Sequence, residues 1–503
     1  MSGYSTDASQ SAVQDRDSMM AQSNQTAVPD LVKIGQIPSN TLIDIETDVL
    51  DPVVQSQTFC RFQLQNKGIL HSHSKLIFRI ASSSTEAFFP VGVGVHSLIS
   101  RCLLKVGTRT LSEIDDYAHY MGYKSMFMSN EHQKERELFT SGRGVAHKVY
   151  YNDGQNASFV GQSDTNASFI GLDCGVYPNG SGVVMDTGGD VKLRPVNRTD
   201  DTIGGPEYQI ALADLFPFLY TNQLPLYMMK EPVTIELHFS GLKERLVRTE
   251  GQGNVDFSID TTATQLYADY QYFPQEMMEQ YAQQNATMTF SYVDYRLAKR
   301  SLSSNASGSE VATGETIMNV GGAGRICSKL ICMLSCDDIT NTNVLGNYHS
   351  FGMMRDYTNG TATSRFNGSL TANVKYNDKF LYPKDIDNVA RLFHETQKAE
   401  GMVPFVTREE YSNEGSSITP VEFEGYDQNS NLNGVVNKFF YQAFHLNRGE
   451  RVNSRGIEYY FNYDKLQGGI VDGSTANNYT LRVYIEIMRM ATLSDGMITT
   501  FFA

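Results

Sequence analysis

The stretch from Gln209 to Phe239 reads QIALADLFPFLYTNQLPLYMMKEPVTIELHF, and it is the most informative segment of the chain for the fold. Its first residues, Gln209 to Asp214, alternate in polarity, which predicts a short, half-buried strand. An aromatic cluster around a proline, FPFLY, follows. The segment Val233 to Phe239 (VTIELHF) then alternates strictly, so its apolar side chains should point into a core.

The middle of this stretch supplies the candidate contact residues. Large apolar and aromatic side chains next to prolines are suited to packing one folded unit against its neighbours. The six candidates for structural or interface roles are Phe216, Pro217, Phe218, Tyr220, Leu224 and Pro225.

The composition favours strands joined by long loops. The chain has 503 residues, enough for two large domains or three of ordinary size. Tyr and Phe number 28 and 27, and the chain contains 41 glycines. Abundant aromatic residues together with many Gly, Asn, Ser and Thr residues are typical of an all-β protein.

The charge balance argues against a protein whose main task is to grip nucleic acid. There are 41 basic and 56 acidic residues, a net charge of −15. Binding to phosphates requires clustered Lys and Arg. The two dense basic segments, 243–248 and 296–300, are short and are predicted to be solvated or structural.

The cysteine pattern predicts buried free thiols. Six cysteines are few for this length and form no CxxC pair. Cys327, Cys332 and Cys336 lie close together, but Cys327 and Cys332 should point to opposite faces of one strand. We therefore expect no metal site, no cofactor and no disulfide framework, and we find no signal peptide or apolar run long enough to span a membrane.

The chain divides into two β-rich halves. We predict a flexible amino-terminal arm over 1–36, a first β-sandwich over 37–273, a helical linker over 274–287 and a second sandwich over 288–503. The first half carries an insertion, 151–206, which is too long for a plain connection and should form an outer loop with small strands of its own.

Two local elements are marked clearly. Residues 98–114 read as a hairpin that turns at Gly107. In the second half, Asp385 is a plausible cap for a helix, because the residues after it follow helical spacing. The apolar members of that pattern are Ile386, Val389, Ala390 and Phe393.

Several segments, in this order, resemble the double jelly-roll major capsid proteins of eukaryotic double-stranded DNA viruses. The resemblance is closer to the Polinton-like virus and virophage branch than to the related nucleocytoplasmic large DNA viruses. Besides the opening stretch, the segments are LLKVGTRTLSEIDDYAHYMGY (103–123), QLYADYQYFPQEMMEQYAQ (265–283), VKYNDKFLYPKDIDNVARLF (374–393) and RVYIEIMRMATLSDGMITTFFA (482–503).

The resemblance implies an all-β fold of two consecutive eight-stranded jelly-roll β-sandwiches with short helices and long surface loops. It also implies a homotrimer with pseudo-hexameric shape, which tiles an icosahedral shell and is found in the virion after assembly inside the host cell. The implied partners are the chain itself, neighbouring trimers, and penton and minor capsid proteins. The amino-terminal arm would contact inner capsid components.

Two other classes of protein were weighed against this one. A carbohydrate-binding or adhesion β-sandwich of the spike type would share the strands and the tyrosines, but we would expect a secretory signal or a fibrous repeat. An enzyme would need a convergent polar site. The chain has no P-loop, HExxH or G-x-S-x-G motif, GGAGR at 321–325 is typical of a turn, and the acidic pair Asp115-Asp116 is typical of loop capping.

Overall fold

The fold was analysed in a computed structural model of the chain. The structure describes fifteen ranges. They are 43–82, 87–88, 94–126, 148–152, 167–171, 207–240, 247–248, 257–260, 263–303, 312–336, 370–387, 389–400, 441–446, 450–466 and 478–502.

In the first half of the chain, the described residues form fifteen strands. In chain order they are β1 (Asp44–Leu50), β2 (Val54–Gln55), β3 (Phe59–Leu64), β4 (Ile69–Leu70), β5 (Lys75–Ser82), β6 (Ala87–Phe88), β7 (Ile99–Val106), β8 (Arg109–Asp115), β9 (Lys148–Asn152), β10 (Ala167–Gly171), β11 (Glu207–Ala211), β12 (Val233–Phe239), β13 (Val247–Arg248), β14 (Phe257–Ile259) and β15 (Gln265–Tyr272).

The part of the second half that the structure describes contributes nine more strands. They are β16 (Thr287–Ser303), β17 (Ala312–Gly321), β18 (Cys327–Cys336), β19 (Leu370–Tyr376), β20 (Lys379–Phe380), β21 (Tyr441–His445), β22 (Ile457–Leu466), β23 (Asn478–Ser494) and β24 (Met497–Phe502).

Short helices interrupt the strands. They are α1 (Tyr117–Met126), α2 (Leu212–Leu215), α3 (Pro217–Thr221), α4 (Gln275–Gln284) and α5 (Val389–Ala399), with 3-10 turns at Gly94–Leu98 and Leu226–Met228. None of the helices in the described ranges is long and apolar enough to cross a membrane.

The two halves share one strand order. In the first, the sheets run β1-β15-β5-β11 and β3-β12-β7-β8, with β2 added beside β3. In the second, they run β16-β23-β18-β21 and β17-β22-β19-β20, with β24 added beside β23. Numbering the eight main strands of each half from one to eight gives 1-8-3-6 and 2-7-4-5 both times. Two sheets connected in this order form a jelly roll.

The expectation of two consecutive eight-stranded jelly rolls is therefore confirmed, and we call the halves the first and the second barrel. All pairings between the main strands are antiparallel. Helix α4 lies between β15 and β16, within the predicted linker 274–287. Its Pro274 precedes the first turn, where a missing amide donor leaves no hydrogen bond unmade.

Strand β12 shows how the sequence pattern creates the core. Val233, Ile235, Leu237 and Phe239 are buried and alternate with half-buried residues, which confirms their predicted direction. The strand lies between β3 and β7 in its sheet, so its backbone donors and acceptors have partners on both sides. Its apolar face can then be covered by the opposite sheet of the barrel.

The predicted strand Gln209 to Asp214 is wrong at its end. Strand β11 stops at Ala211, and α2 begins at Leu212. Leu212, Leu215 and Phe216 are all buried, and a helical turn brings them to one side, whereas an extended chain would expose one of them. Burial of apolar area thus overrides the local alternation.

The predicted start of the helix after Asp385 is also wrong. Helix α5 begins at Val389, and Ile386 instead forms an antiparallel bridge with Ala372. Asp385 is not a cap, since its carboxylate accepts a hydrogen bond of 2.7 Å from the Asn373 side-chain amide. The buried Ile386 side chain and its two backbone hydrogen bonds hold this segment extended.

The predicted hairpin is confirmed, because β7 and β8 pair antiparallel around Gly107, which has a φ of +56°. Of the insertion 151–206, the structure describes part of β9 and all of β10, which pair with each other. The predicted arm over 1–36 lies outside the described residues.

We predict that replacing Leu237 by Ala destabilises the first barrel by about 2–5 kcal/mol, because the side chain is fully buried and its removal leaves a cavity. Urea unfolding followed by circular dichroism measures the loss. The control is Thr234→Ala on the opposite face of β12, which should change the unfolding midpoint much less. Equal losses in the two variants would contradict the burial pattern.

Candidate functional site: the contact between the two barrels

The aromatic-proline segment forms part of the contact between the two barrels. Phe216 is extended, and Pro217 begins α3 at the position where its fixed φ and missing donor suit a helix. Phe218 is fully buried and meets two rings of β16 edge to face. Its ring centroid lies 5.6 Å from that of Phe290 and 5.0 Å from that of Tyr292.

The other candidate residues lie in different surroundings. Phe216 is buried, Pro217 is half-buried, and Tyr220 is 72% exposed with the ammonium of Lys124 5.4 Å from its ring centroid. A helical turn rotates Phe218 and Tyr220 by about 200° relative to each other, so they point to opposite sides of α3.

Leu224 and Pro225 lie within the first barrel. Both are buried, and the Leu224 carbonyl accepts a hydrogen bond of 2.9 Å from the Leu70 amide. Contacts of the six candidates with neighbouring subunits stay a prediction.

A β-bulge in β8 opens the first barrel toward the second. The register with β7 shifts so that Leu104 pairs with Ser112 and Lys105 pairs with Thr110, leaving Leu111 out of the ladder. Its free carbonyl accepts hydrogen bonds from the Tyr292 hydroxyl at 2.6 Å and from Arg489 Nη1 at 3.2 Å. Strands β16 and β23 of the second barrel supply these two donors.

The arginine at this bulge is neutralised within the contact. Arg489 Nη1 lies 2.6 Å from Asp294 Oδ2, and both side chains are buried. The other Asp294 oxygen, Oδ1, accepts a hydrogen bond of 3.2 Å from the Glu113 amide of β8. A buried ion pair is tolerated better when further hydrogen bonds satisfy its remaining atoms. Here both Asp294 oxygens and both Arg489 Nη atoms have partners, whereas the buried Arg489 Nε has none.

Asp116 joins the barrels at the end of β8. Its φ of +48° is left-handed, a region that Asp tolerates better than most residues, and α1 follows it directly. Its carboxylate lies 2.9 Å from Arg482 Nε and 2.5 Å from Lys299 Nζ, and its carbonyl accepts a 2.8 Å hydrogen bond from the Tyr484 hydroxyl. Burial alone would raise the pKa of Asp116, but the two cations outweigh burial and lower it.

A second cluster of charged residues lies next to α1. Lys329 Nζ is 3.0 Å from Glu400 and 3.5 Å from Glu486, and all three side chains are largely buried. Tyr123 of α1 donates a hydrogen bond of 2.5 Å to Glu400, and Tyr295 donates one of 2.7 Å to Glu486. Burial would raise the pKa of Glu486, but Lys329 and the donated hydrogen bonds lower it.

The hairpin between β23 and β24 also touches the first barrel. Its Gly496 has a φ of +80°, and its carbonyl accepts a 2.8 Å hydrogen bond from the Lys230 amide. A Cβ atom at this position would come within 2.6 Å of Lys230 Cγ and 3.0 Å of the Met228 carbonyl oxygen. Glycine is required here both by the backbone and by the close approach.

The chemistry available at the contact is structural. The open cleft between the barrels contains Arg101 and Lys299, and each is paired with an acid, Asp115 at 2.8 Å and Asp116 at 2.5 Å. The sequence predicted loop capping for Asp115 and Asp116, whereas the contacts of their carboxylates in the structure are ion pairs, and Asp115 lies within β8.

The described cysteines are free and buried: Cys60, Cys102, Cys327 and Cys332. Burial raises the pKa of Cys60 to about 12 and that of Cys327 to about 11, which keeps both thiols protonated. The described ranges contain no group of three His, Cys, Asp or Glu side chains placed to hold a metal ion. Cys174 and the side chain of Cys336 lie outside the described part of the chain.

We predict that Phe218→Ala destabilises the protein by about 3–5 kcal/mol, because it removes a fully buried ring that packs against both aromatic partners of β16. Tyr220→Ala, two residues away on the exposed side of α3, is the matched control and should stay within about 0.5 kcal/mol of wild type. Urea unfolding measures both. A large effect of Tyr220→Ala would mean that its ring is covered in the folded protein.

We further predict that Asp116 contributes to acid sensitivity. The pKa of Asp116 is lower in the folded chain than the unfolded value of about 3.9, so its stabilisation is complete above that value and disappears as the pH falls through the folded pKa. Asp116→Asn keeps the left-handed backbone accessible but cannot ionise. Its urea midpoint should lie below that of wild type at pH of about 7, and the two midpoints should converge as the pH falls through the folded pKa of Asp116.

Carboxylates that do not interact with Asp116 are common to both proteins and cancel in the difference between them. Asp115 does not cancel, because its pKa is raised by burial and also by the charge of Asp116. A difference in midpoint that stays constant from neutral to acid pH would show that ionised Asp116 is not the stabilising species.

Comparisons with known proteins identify the fold. No protein-family model matches the chain, and no curated protein sequence matches it. Three solved structures are similar over 93% of the chain. A chain of the Sputnik virophage particle has a TM-score of 0.53 and 12% identity over 90% of its length, and the mavirus major capsid protein has a TM-score of 0.52 and 11% identity over 91% of its length.

The third structure is the PBCV-1 protein VP54, fitted into a reconstruction of Sputnik, with a TM-score of 0.51 and 9% identity over 98% of its length. Identities this low establish the shared architecture, which agrees with the strand order found in both barrels. The chain therefore has a double jelly-roll fold, which it shares with the mavirus major capsid protein.

Proposed function

We propose that this chain is a major capsid protein that forms homotrimers of pseudo-hexameric shape, and that these trimers tile the icosahedral shell of a double-stranded DNA virus. The observation that carries the proposal is the repetition of one strand order in two barrels that share a buried, charge-paired contact. Three copies of such a block supply six similar barrels, and six similar units can fill a hexagonal tile.

The contact between the barrels supports this role. A shell subunit needs bodies that keep their relative orientation, because small rotations add up over many copies. Buried ion pairs with further hydrogen bonds stabilise only a few orientations, and breaking one is costly. Asp116–Arg482 joins the two barrels directly, and Arg489, which is paired with Asp294 inside the second barrel, donates a hydrogen bond to the Leu111 carbonyl of the first.

The similar structures support the same role. The mavirus protein is itself a major capsid protein, and the Sputnik chain comes from a virophage particle. In agreement with them, we propose a non-enzymatic protein located in the virion. Its partners would be neighbouring trimers together with penton and minor capsid proteins, and the arm over 1–36 would contact inner capsid components.

The net charge of −15 supports a shell role without specific nucleic-acid binding. A surface that holds nucleic acid through its phosphates gains affinity from clustered cations. At the contact between the barrels, the described cations Arg482, Arg489 and Lys329 are instead paired with acids of the same chain.

The test is to purify the full chain and determine its mass in solution and its shape by electron microscopy. We expect particles of three copies with a hexagonal outline, which assemble into sheets or shells at high concentration. A stable monomer that binds glycans on an array would contradict the proposal and favour the alternative, an adhesion β-sandwich.

A further inference from the structure

We infer that the outer edge of the first barrel, formed by β1 and β2, is the surface on which the α5 side of the second barrel of another copy packs. This inference rests on the proposed homotrimer and names the contact that closes it.

The edge is unusually apolar for an exposed strand. Thirteen large apolar side chains are exposed in the described residues, and five of them lie within twelve consecutive positions. These five define the β1–β2 edge: Ile43, Ile45, Val49, Val53 and Val54. Ile45 is 58% exposed and Val49 50%. Apolar residues clustered in this way mark an interaction surface more often than scattered ones do.

The backbone of the edge is open as well. Strand β1 ends the order β1-β15-β5-β11, and no other described strand pairs with its outer side. A long, apolar edge strand with unpaired amides and carbonyls is a liability in a monomer, and proteins normally cover or blunt it. An edge of this kind therefore indicates a partner.

The contact between the two barrels of one chain shows which surface fits the β1–β2 edge. In the first barrel, α1 lies between the fifth and the sixth main strand, β8 and β11. It packs on the first and the eighth strand of the second barrel, where Tyr120 meets Tyr295 of β16 at 4.5 Å and Tyr484 of β23 at 5.9 Å between ring centroids.

The second barrel has the equivalent helix. Helix α5 lies between its fifth and sixth strands, β20 and β21, and the first and eighth strands of the first barrel are β1 and β15. Repeating the internal contact therefore places α5 on β1 and β15, where the exposed apolar side chains lie.

The partner has to be a second copy. The strands β1 and β11 end the same sheet, three strand spacings or about 14 Å apart. The second barrel of the same chain contacts the opposite side of the first barrel, through β8 and α3. Its α5 side cannot then also cover β1. A contact between unlike surfaces is heterologous, and it closes a ring when the rotation fits.

The charges of the two surfaces are complementary. The β1–β2 edge carries four acids, Asp44, Glu46, Asp48 and Asp51. Among the described lysines, Lys67 pairs with two of them, its ammonium lying 2.7 Å from Asp48 and 3.8 Å from Glu46. On α5, Arg391 and the exposed Lys398 are cations, and the single acid of the helix, Glu395, is buried with a carboxylate oxygen 3.8 Å from the Lys398 ammonium, which leaves the helix with an excess of positive charge. Opposite potentials of this kind favour the pairing of unlike surfaces over that of like ones.

The experiment compares three variants of the full chain by analytical ultracentrifugation. The edge variant is Ile45→Asp with Val49→Asp, the helix variant is His394→Glu with Lys398→Glu, and the control is Ile317→Asp, which replaces an apolar residue 46% exposed on β17. Each changed side chain is exposed, so the thermal midpoints of the monomers should match that of the control.

We expect wild type and control to be trimers and the edge variant to be monomeric, with subunit affinity lowered on the order of thirtyfold or more. The helix variant should also dissociate. In a mixture of the two variants, α5 of the edge variant can still bind the β1–β2 edge of the helix variant, so dimers should form. If β1 instead paired symmetrically with β1 of another copy, the helix variant would stay assembled on its own.

The outcomes separate the two proposals. A trimeric wild type with a trimeric edge variant would overturn the inferred contact and leave the proposed function standing. A monomeric wild type would overturn both. Dissociation of the control together with the edge variant would show that any added charge disrupts assembly, and it would overturn the assignment to this edge.

Discussion

One constraint governs this molecule: strand β23 is buried on both faces. Side chains 480 to 487 are all buried, with one face on the core of the second barrel and the other toward the first. The strand nevertheless carries Arg482, Glu486 and Arg489, and a buried charge without a partner is very costly. The partners come from Asp116, Lys329 and Asp294, together with the bulge in β8. Lys329 and Asp294 belong to the second barrel, whereas Asp116 and the bulge belong to the first. Arg482 and Arg489 therefore bind across the contact and fix the position of one barrel on the other.

The same constraint explains why a shell role suits the fold. Apolar packing alone is tolerant of small rotations, whereas a guanidinium held at once by a carboxylate and by backbone carbonyls is directional. At Arg489 both kinds of acceptor are present, and they belong to different barrels. The aromatic contacts of Phe218 supply apolar burial beside it. Burial holds the barrels together, and the charged groups set their angle.

The sequence predicted the strands well, because strict alternation in segments such as β12 reflects burial on one side. The prediction of secondary structure was wrong where tertiary contacts override the local pattern. A helix begins at Leu212, where a strand was predicted, and Ile386 forms a β-bridge, where a helix was predicted. The alternation of Phe216, Phe218 and Tyr220 suggested a shared role. Because the last two lie on α3, they point to opposite sides of the helix. The charged residues of β23 were missed because the outer face of a sandwich is expected to meet water, and here it meets a second barrel.

The bulge at Leu111 has a consequence for the exchange of parts between related chains. Its carbonyl belongs to the first barrel, but both of its hydrogen-bond donors, Tyr292 and Arg489, belong to the second. A recombinant that took one barrel from a distant relative would bury either an acceptor without donors or a guanidinium without its acceptor. The two barrels should therefore be exchanged together, and a junction for a chimera is better placed in outer loops than at the linker helix that separates them in sequence.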